Sequence, residues 1–140
     1  MFLEQLTAKN ERELRRWLLS QGDPDFAMHR QLKDYFLAPT SNFGALASRI
    51  GETLVGVAFY SRYNGKGYLH QYIGDIEQIE FCIDWIGRPC QAFFRSEYRP
   101  SERWTKILDV RPGFVVDHPA YDGVFSRVAP RFDGAVYECQ

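Results

Sequence analysis

The sequence predicts an α+β domain, a mixed and mostly antiparallel central sheet flanked by helices. Three observations carry that expectation. Phe43 to Ile50, Thr53 to Tyr60 and Tyr68 to Ile73 are apolar, aromatic or β-branched runs broken by glycine-bearing turns, the pattern of neighbouring strands. Directly after them, Ile76, Ile79, Ile83 and Ile86 recur at helical spacing. Both faces of the middle strand are apolar, with Val55, Val57 and Phe59 alternating against Leu54, Gly56, Ala58 and Tyr60, so helices are expected to cover both. At 140 residues the chain supports one substantial core, and 1–140 is expected to be a single domain.

Taken in order, Met1 to Thr7 reads as a short first strand. Thr7 or Asn10 then caps a helix that turns Leu14, Trp17 and Leu18 inward and Glu11, Arg12, Arg15 and Arg16 outward. Glu11 and Glu13 share those turns and are expected to neutralise the arginines locally, leaving a solvated face. Asp23 and Pro24 open a second helix, in which Met28, Leu32, Tyr35 and Phe36 repeat at helical spacing. His29, with no other histidine or cysteine at ligand spacing, reads as an ordinary boundary residue.

Gly51-Glu52 suits a tight hairpin, and Asn64-Gly65 marks a turn in the next connector. The Gly65-Lys66-Gly67 that follows lacks the glycine spacing and the Ser/Thr of a phosphate-binding loop. The third strand is expected to show Tyr68, His70 and Tyr72 on one face and Leu69, Gln71 and Ile73 on the other. Asp75, with Gln78 three residues later, has the spacing of a capping box, and Gly87 and Pro89 end that helix. Cys90 to Arg95 reads as a strand, Pro100 to Leu108 as a short helix, and Phe114 to Val116 and Ala135 to Cys139 as returning strands. Val124 to Val128 is either a short strand or structured loop.

Composition narrows the function classes. Seventeen basic against eighteen acidic residues leave a formal charge of -1, with no overall field to draw in nucleic acid or an anionic membrane. The aromatic share of 16% is high, so some rings are expected at the surface. Cys82, Cys90 and Cys139 are odd in number and far apart, which suits buried thiols in a reducing compartment. Charges at Glu4, Lys9 and Glu11 interrupt any apolar leader, and no stretch approaches a membrane span, so a soluble cytoplasmic protein is the expectation.

Specific chemistry is sparse. His70, flanked by two tyrosines, is a candidate general base, although a hydrogen-bonded structural histidine explains the same residue. Phe93, Phe94, Arg95, Tyr98, Arg99 and Arg103 interleave rings with cations as a nucleic-acid surface does, but Glu97 and Glu102 dilute them. Asp117, His118 and Asp122 do not form a specific metal constellation, and no metal ligand set is assigned. Neither Ser96 nor Ser101 stands in a nucleophile-base pattern.

The element order β-α-α-β-β-β-α-β-α-β-β resembles the GCN5-related N-acetyltransferase superfamily over nearly the whole chain. Met1 to Leu19 looks like its first strand and helix, Phe43 to Ile73 like its second to fourth strands, and Gln91 to Val110 like its fifth strand and fourth helix. It is also similar to the small acetyltransferase-like internal virion proteins of tailed bacteriophages. The resemblance implies acetyl-CoA as cofactor, held by Tyr72, Ile73, Gly74 and Asp75, and a catalytic set of His70 or Glu80 as base and Tyr98 as acid. In active members of the superfamily, closely spaced glycines after the fourth strand cradle the cofactor pyrophosphate on backbone donors at a helix N-terminus.

Here that segment is Tyr72-Ile73-Gly74-Asp75-Ile76-Glu77, with only Gly74 of the pattern and two added carboxylates. Matching the later helix puts Thr105 where the family tyrosine belongs and Asp109 where a glycine belongs. The favoured expectation is therefore a non-enzymatic protein-interaction or virion-associated module, cytoplasmic or in a virion, with no cofactor. The alternatives are an acetyl-CoA-dependent N-acyltransferase acting on an amine and a nucleic-acid-binding α+β module. A protein partner is expected, and nucleic acid and membrane are not.

Overall fold

A computed structural model describes residues 1–22, 27–28, 32–37, 43–111 and 133–140. The elements are β1 (Phe2–Gln5), α1 (Glu11–Ser20), α2 (Leu32–Phe36), β2 (Phe43–Ile50), β3 (Thr53–Tyr63), β4 (Lys66–Gly74), α3 (Ile79–Ile86), β5 (Cys90–Arg95), β6 (Thr105–Val110) and β7 (Gly134–Cys139). They build a seven-stranded sheet of order β1-β2-β3-β4-β5-β7-β6. Every neighbouring pair is antiparallel except β4 and β5, which run parallel through the α3 crossover. This is the mixed, mostly antiparallel α+β architecture that the sequence predicts.

The two hairpins form where the turn residues allow. Gly51 adopts φ 62° between β2 and β3, and Asn64 and Gly65 adopt φ 50° and 75° between β3 and β4. Positive φ at both central residues matches the strand twist, so β3 and β4 run longer than their apolar cores alone suggest. Thr7 caps the turn leading into α1, its hydroxyl accepting from Lys9 N at 3.3 Å while Asn10 Oδ1 accepts from Thr7 N at 2.9 Å.

The sheet has a core on each side. On one, Leu14 and Leu18 of α1 and Leu32 and Phe36 of α2 pack on Ala45, Ala47, Leu54, Val57, Phe59 and Ile73. On the other, Ile79, Cys82, Ile83 and Ile86 of α3 pack on Ala58, Tyr60, Leu69, Tyr72 and Phe94. Tyr68, Phe93, Val110 and Val136 form a third cluster toward the far strands. All the cysteines are free and buried, as expected.

Several sequence expectations need correction. The helix expected over Pro100 to Leu108 is instead a turn, closed by Trp104 N to Ser101 O at 3.1 Å, and then strand β6 on β7. Thr105, Ile107 and Val110 are β-branched, and pairing with β7 supplies their backbone partners, which overrides a proline start signal. Met28, expected among the inward residues of the second helix, is 68% exposed beside the buried Ala27. Leu54 does not share a face with Gly56, Ala58 and Tyr60. The β2–β3 register passes from Ser48↔Gly56 to Arg49↔Leu54, so Val55 is the extra residue of a bulge, and Leu54 joins Val57 and Phe59 instead. His29, Asp117, His118, Asp122, the strand expected at 114–116 and the strand or loop expected at 124–128 lie outside the described residues.

Arg49, at that bulge, is 6% exposed. Its guanidinium donates to Glu4 at 2.7 Å, to Glu13 at 2.7 and 3.0 Å and to the Glu52 carbonyl at 2.8 Å, tying β1, α1 and the hairpin together. The hydrogen bond from Arg49 is the main cause that holds the Glu13 carboxyl below its usual pKa. A depressed carboxylate stabilises the fold above its unfolded pKa, and that contribution is lost as pH falls through the folded value. Replacing Arg49→Met is expected to cost about 1–2 kcal/mol at pH 7, since both carboxylates stay partly solvated. The gap between wild type and R49M in urea midpoints should shrink as pH drops below about 4. An unchanged gap would show that Glu13 does not contribute through ionisation.

Candidate functional site

The site begins with a second bulge. The β3–β4 register runs Val57↔Ile73, Ala58↔Tyr72, Phe59↔Gln71 and then jumps to Tyr60↔Leu69, leaving His70 as the added residue of β4. A bulge disposes two successive residues toward one side and reverses the alternation beyond it. Tyr68, His70 and Gln71 therefore share the α1/α2 side, whereas Tyr72 turns to the α3 side and Ile73 turns back. The expected row of Tyr68, His70 and Tyr72 is broken at Tyr72, because one inserted residue inverts the pleat.

On the α1/α2 side, His70 is 2% exposed, its Nε2 lies 2.7 Å from Ser61 Oγ, and its ring meets the Phe36 ring edge at 6.4 Å between centroids. Gln71, 1% exposed, has both side-chain amide atoms buried without a hydrogen-bond partner among the described residues. A buried amide without partners is costly, which marks this spot as polar space inside an otherwise apolar layer.

The bulge coincides with a parting of the sheet. β4 pairs with β5 only at Gly67↔Cys90, Tyr68↔Gln91 and Leu69↔Ala92, although β4 continues to Gly74 and β5 to Arg95. Tyr98 crosses the mouth of this opening and donates its hydroxyl to the Gly74 carbonyl at 3.4 Å. Burial pushes the Tyr98 phenol up, against a smaller opposing effect of Arg95. Burial likewise raises the Tyr72 phenol, whose hydroxyl donates to the Asp75 carbonyl.

The junction from β4 to α3 is held by its own groups. Gly74, at φ 111°, lets the chain turn so that Asp75 N donates to Val55 O at 2.9 Å. Asp75 Oδ1 accepts from Glu77 N at 3.0 Å, and Asp75 O accepts from Gln78 N at 3.1 Å. The result is a 3-10 turn at Ile76–Gln78, after which α3 begins; Asp75 caps that turn through Glu77 rather than through a box with Gln78.

Glu80 stands elsewhere, on the flank of α3. Its carboxylate accepts from Arg88 at 3.1 Å, Arg103 at 3.1 Å and Trp104 Nε1 at 3.2 Å, so the oxygens of this candidate base are committed to charged and indole donors. The structure thus brings Tyr72, Gly74, Asp75 and Tyr98 together at the end of β4. It puts His70 on the other side of the sheet with Ser61, and Glu80 among arginines. Thr105, matched to the family tyrosine, lies on strand β6 rather than a helix.

Ser61 and Gln71 belong to this region and were missed from sequence. Their sequence signal was weak: with both faces covered, strict alternation buries His70 and Gln71 on opposite faces, and only the register with β3 puts them on one.

Among the described residues, no group of His, Cys, Asp and Glu side chains is arranged to hold a metal ion, and no helix is long and apolar enough to cross a membrane. No protein-family model matches the chain, and no curated protein does. A solved structure does match in shape: the crystal structure of the acetyltransferase of GNAT family from Streptococcus pneumoniae, with a TM-score of 0.56, 13% sequence identity, and coverage of 98% of this chain and 97% of that one. The chain has an acetyltransferase-like fold.

Proposed function

We propose that this chain is a non-enzymatic binding module for another protein, in the cytoplasm or in a virion, built on the acetyltransferase-like fold. One observation carries the reading: the backbone donors at the β4–α3 junction are spent within the chain. Asp75 N is bound to Val55 O and Glu77 N to Asp75 Oδ1, while Asp75 and Glu77 add carboxylates where a phosphate would approach. An anion at a helix start needs free amides and positive potential; here the amides of Asp75, Glu77 and Gln78 already have partners, and the two carboxylates oppose a positive potential. They do not fit the pyrophosphate of acetyl-CoA.

A second reading, an N-acyltransferase using acetyl-CoA, is favoured by the parting of β4 from β5 beside the unpartnered amide of Gln71. In that reading Tyr72, Ile73, Gly74 and Asp75 hold the cofactor, and His70, Glu80 and Tyr98 are the candidate acid-base groups.

Calorimetric titration with acetyl-CoA and with CoA separates the two. The expected result is no saturable heat up to about millimolar ligand, a free energy no better than about -4 kcal/mol. Saturable binding near about 1 μM, weakened by Asp75→Arg or Tyr98→Ala, would overturn the binding-module reading in favour of the enzyme.

A further inference from the structure

The outer face of α1 is not neutralised in the way its sequence suggests. Glu11 takes Arg15 at 3.0 Å, but Glu13 is drawn away to Arg49 on β2. Lys9, Arg12 and Arg16 consequently have no ion-pair partner among the described residues. Most other described cations do: Arg49, Lys66, Arg88, Arg95, Arg103 and Lys106 each contact a carboxylate.

These unspent cations lie along one side of an open groove of 540 Å³, which continues over Trp17 to Glu52, Thr53 and Leu54 at the β2–β3 turn. Within it, Lys9, Arg12 and Arg16 face a single unpaired carboxylate, Glu52, so the groove is locally positive on a chain whose formal charge is -1.

We infer that this groove docks an extended acidic segment of a partner protein, its carboxylates on Arg12, Arg16 and Lys9 and its intervening side chains turned to the opposite wall at the β2–β3 turn. The inference rests on the binding-module reading and names the partner's chemistry. Arg12 and Arg16 are four residues apart on the helix, about 6 Å along its axis. Alternate residues of an extended chain are about 6.6 Å apart, so carboxylates two positions apart meet both guanidinium groups. Arginine also suits bidentate capture of a carboxylate. A nucleic-acid strand suits the groove less well. Trp17 is partly buried in the core rather than free for base stacking.

Fluorescence anisotropy tests this with two labelled probes, the peptide Glu-Leu-Glu-Leu-Glu and an oligothymidylate. On the intact chain at low salt the peptide is expected to bind, to weaken by about tenfold or more in R12E/R16E, and to tighten severalfold in E52Q. All these positions are on the surface and spare the Arg49–Glu13 pair, and near-UV circular dichroism checks that the variants keep the fold. The proposal is overturned if the peptide does not bind, if R12E/R16E leaves its affinity unchanged, or if oligothymidylate binds more tightly than the peptide. Failure of the underlying reading is distinguishable. Saturable acetyl-CoA binding that R12E/R16E does not alter sinks the non-enzymatic role, whereas peptide binding lost in R12E/R16E still identifies the groove.

Discussion

Gly74→Ala is expected to lose about 3–5 kcal/mol of stability, enough to unfold a domain at the lower end of the usual range. Two independent costs fall on the same atom. Gly74 holds φ 111°, a conformation that L side chains rarely adopt, and an added Cβ would meet the Val55 carbonyl oxygen and, at 2.8 Å, the Gly56 Cα. Both obstacles are backbone atoms of β3, which is hydrogen-bonded to β2 on one side and β4 on the other, so neither can rotate away.

Gly51→Ala is the matched control. Gly51 also has positive φ, 62°, but open space around its missing Cβ, and its cost is expected to be about 1 kcal/mol. Urea unfolding of the two variants measures the difference directly. If G74A unfolds within about 1 kcal/mol of wild type, the close approach of β4 to Val55 is not a constraint on the fold.

Phe59→Ala is expected to cost about 3–5 kcal/mol, by lost burial and by the cavity left behind. Phe59 is fully buried in the middle of β3, meets the Phe36 ring edge-on at 5.6 Å and pairs across the sheet with Gln71. Truncating it opens space on the α1/α2 side next to the bulge. Phe59→Leu keeps most of the volume and should cost about 1–1.5 kcal/mol. Thermal unfolding of the pair gives the ratio, and equal losses for F59A and F59L would mean that ring shape rather than cavity volume sets the cost.

Much of the fold could be read from local signals. Alternation in β3, the Gly51 and Asn64-Gly65 turns and the isoleucine repeat of α3 each depend on residues near one another in the chain. What failed depended on distant partners. β6 is a strand because β7, beginning at Gly134, supplies its ladder, and nothing near Thr105 announces that. The two bulges, at Val55 and His70, are likewise resolved by register with a neighbouring strand; the first misled the face of Leu54 before it, the second the faces of Gln71, Tyr72 and Ile73 after it.

The grouping of residues at the candidate site was legible in part for the same reason. Tyr72, Gly74 and Asp75 are close in sequence and form one junction, and Tyr98 does reach it through Gly74. His70 and Glu80 looked equally close to that junction but are separated by the sheet and by competing donors. Sequence also placed Glu13 as a support for its arginine neighbours, whereas the stronger claim comes from Arg49, thirty-six residues away. A buried guanidinium with three carboxylate contacts takes precedence over an exposed helical pair of small worth.

The extra residue in β4 has a genetic consequence. Strike out His70 and the remaining order Tyr68, Leu69, Gln71, Tyr72, Ile73 alternates without interruption, each side chain keeping the face it now has. The face that Gln71, Tyr72 and Ile73 present thus turns on a single codon, so insertion or deletion, rather than substitution, is the kind of mutation that would reset it.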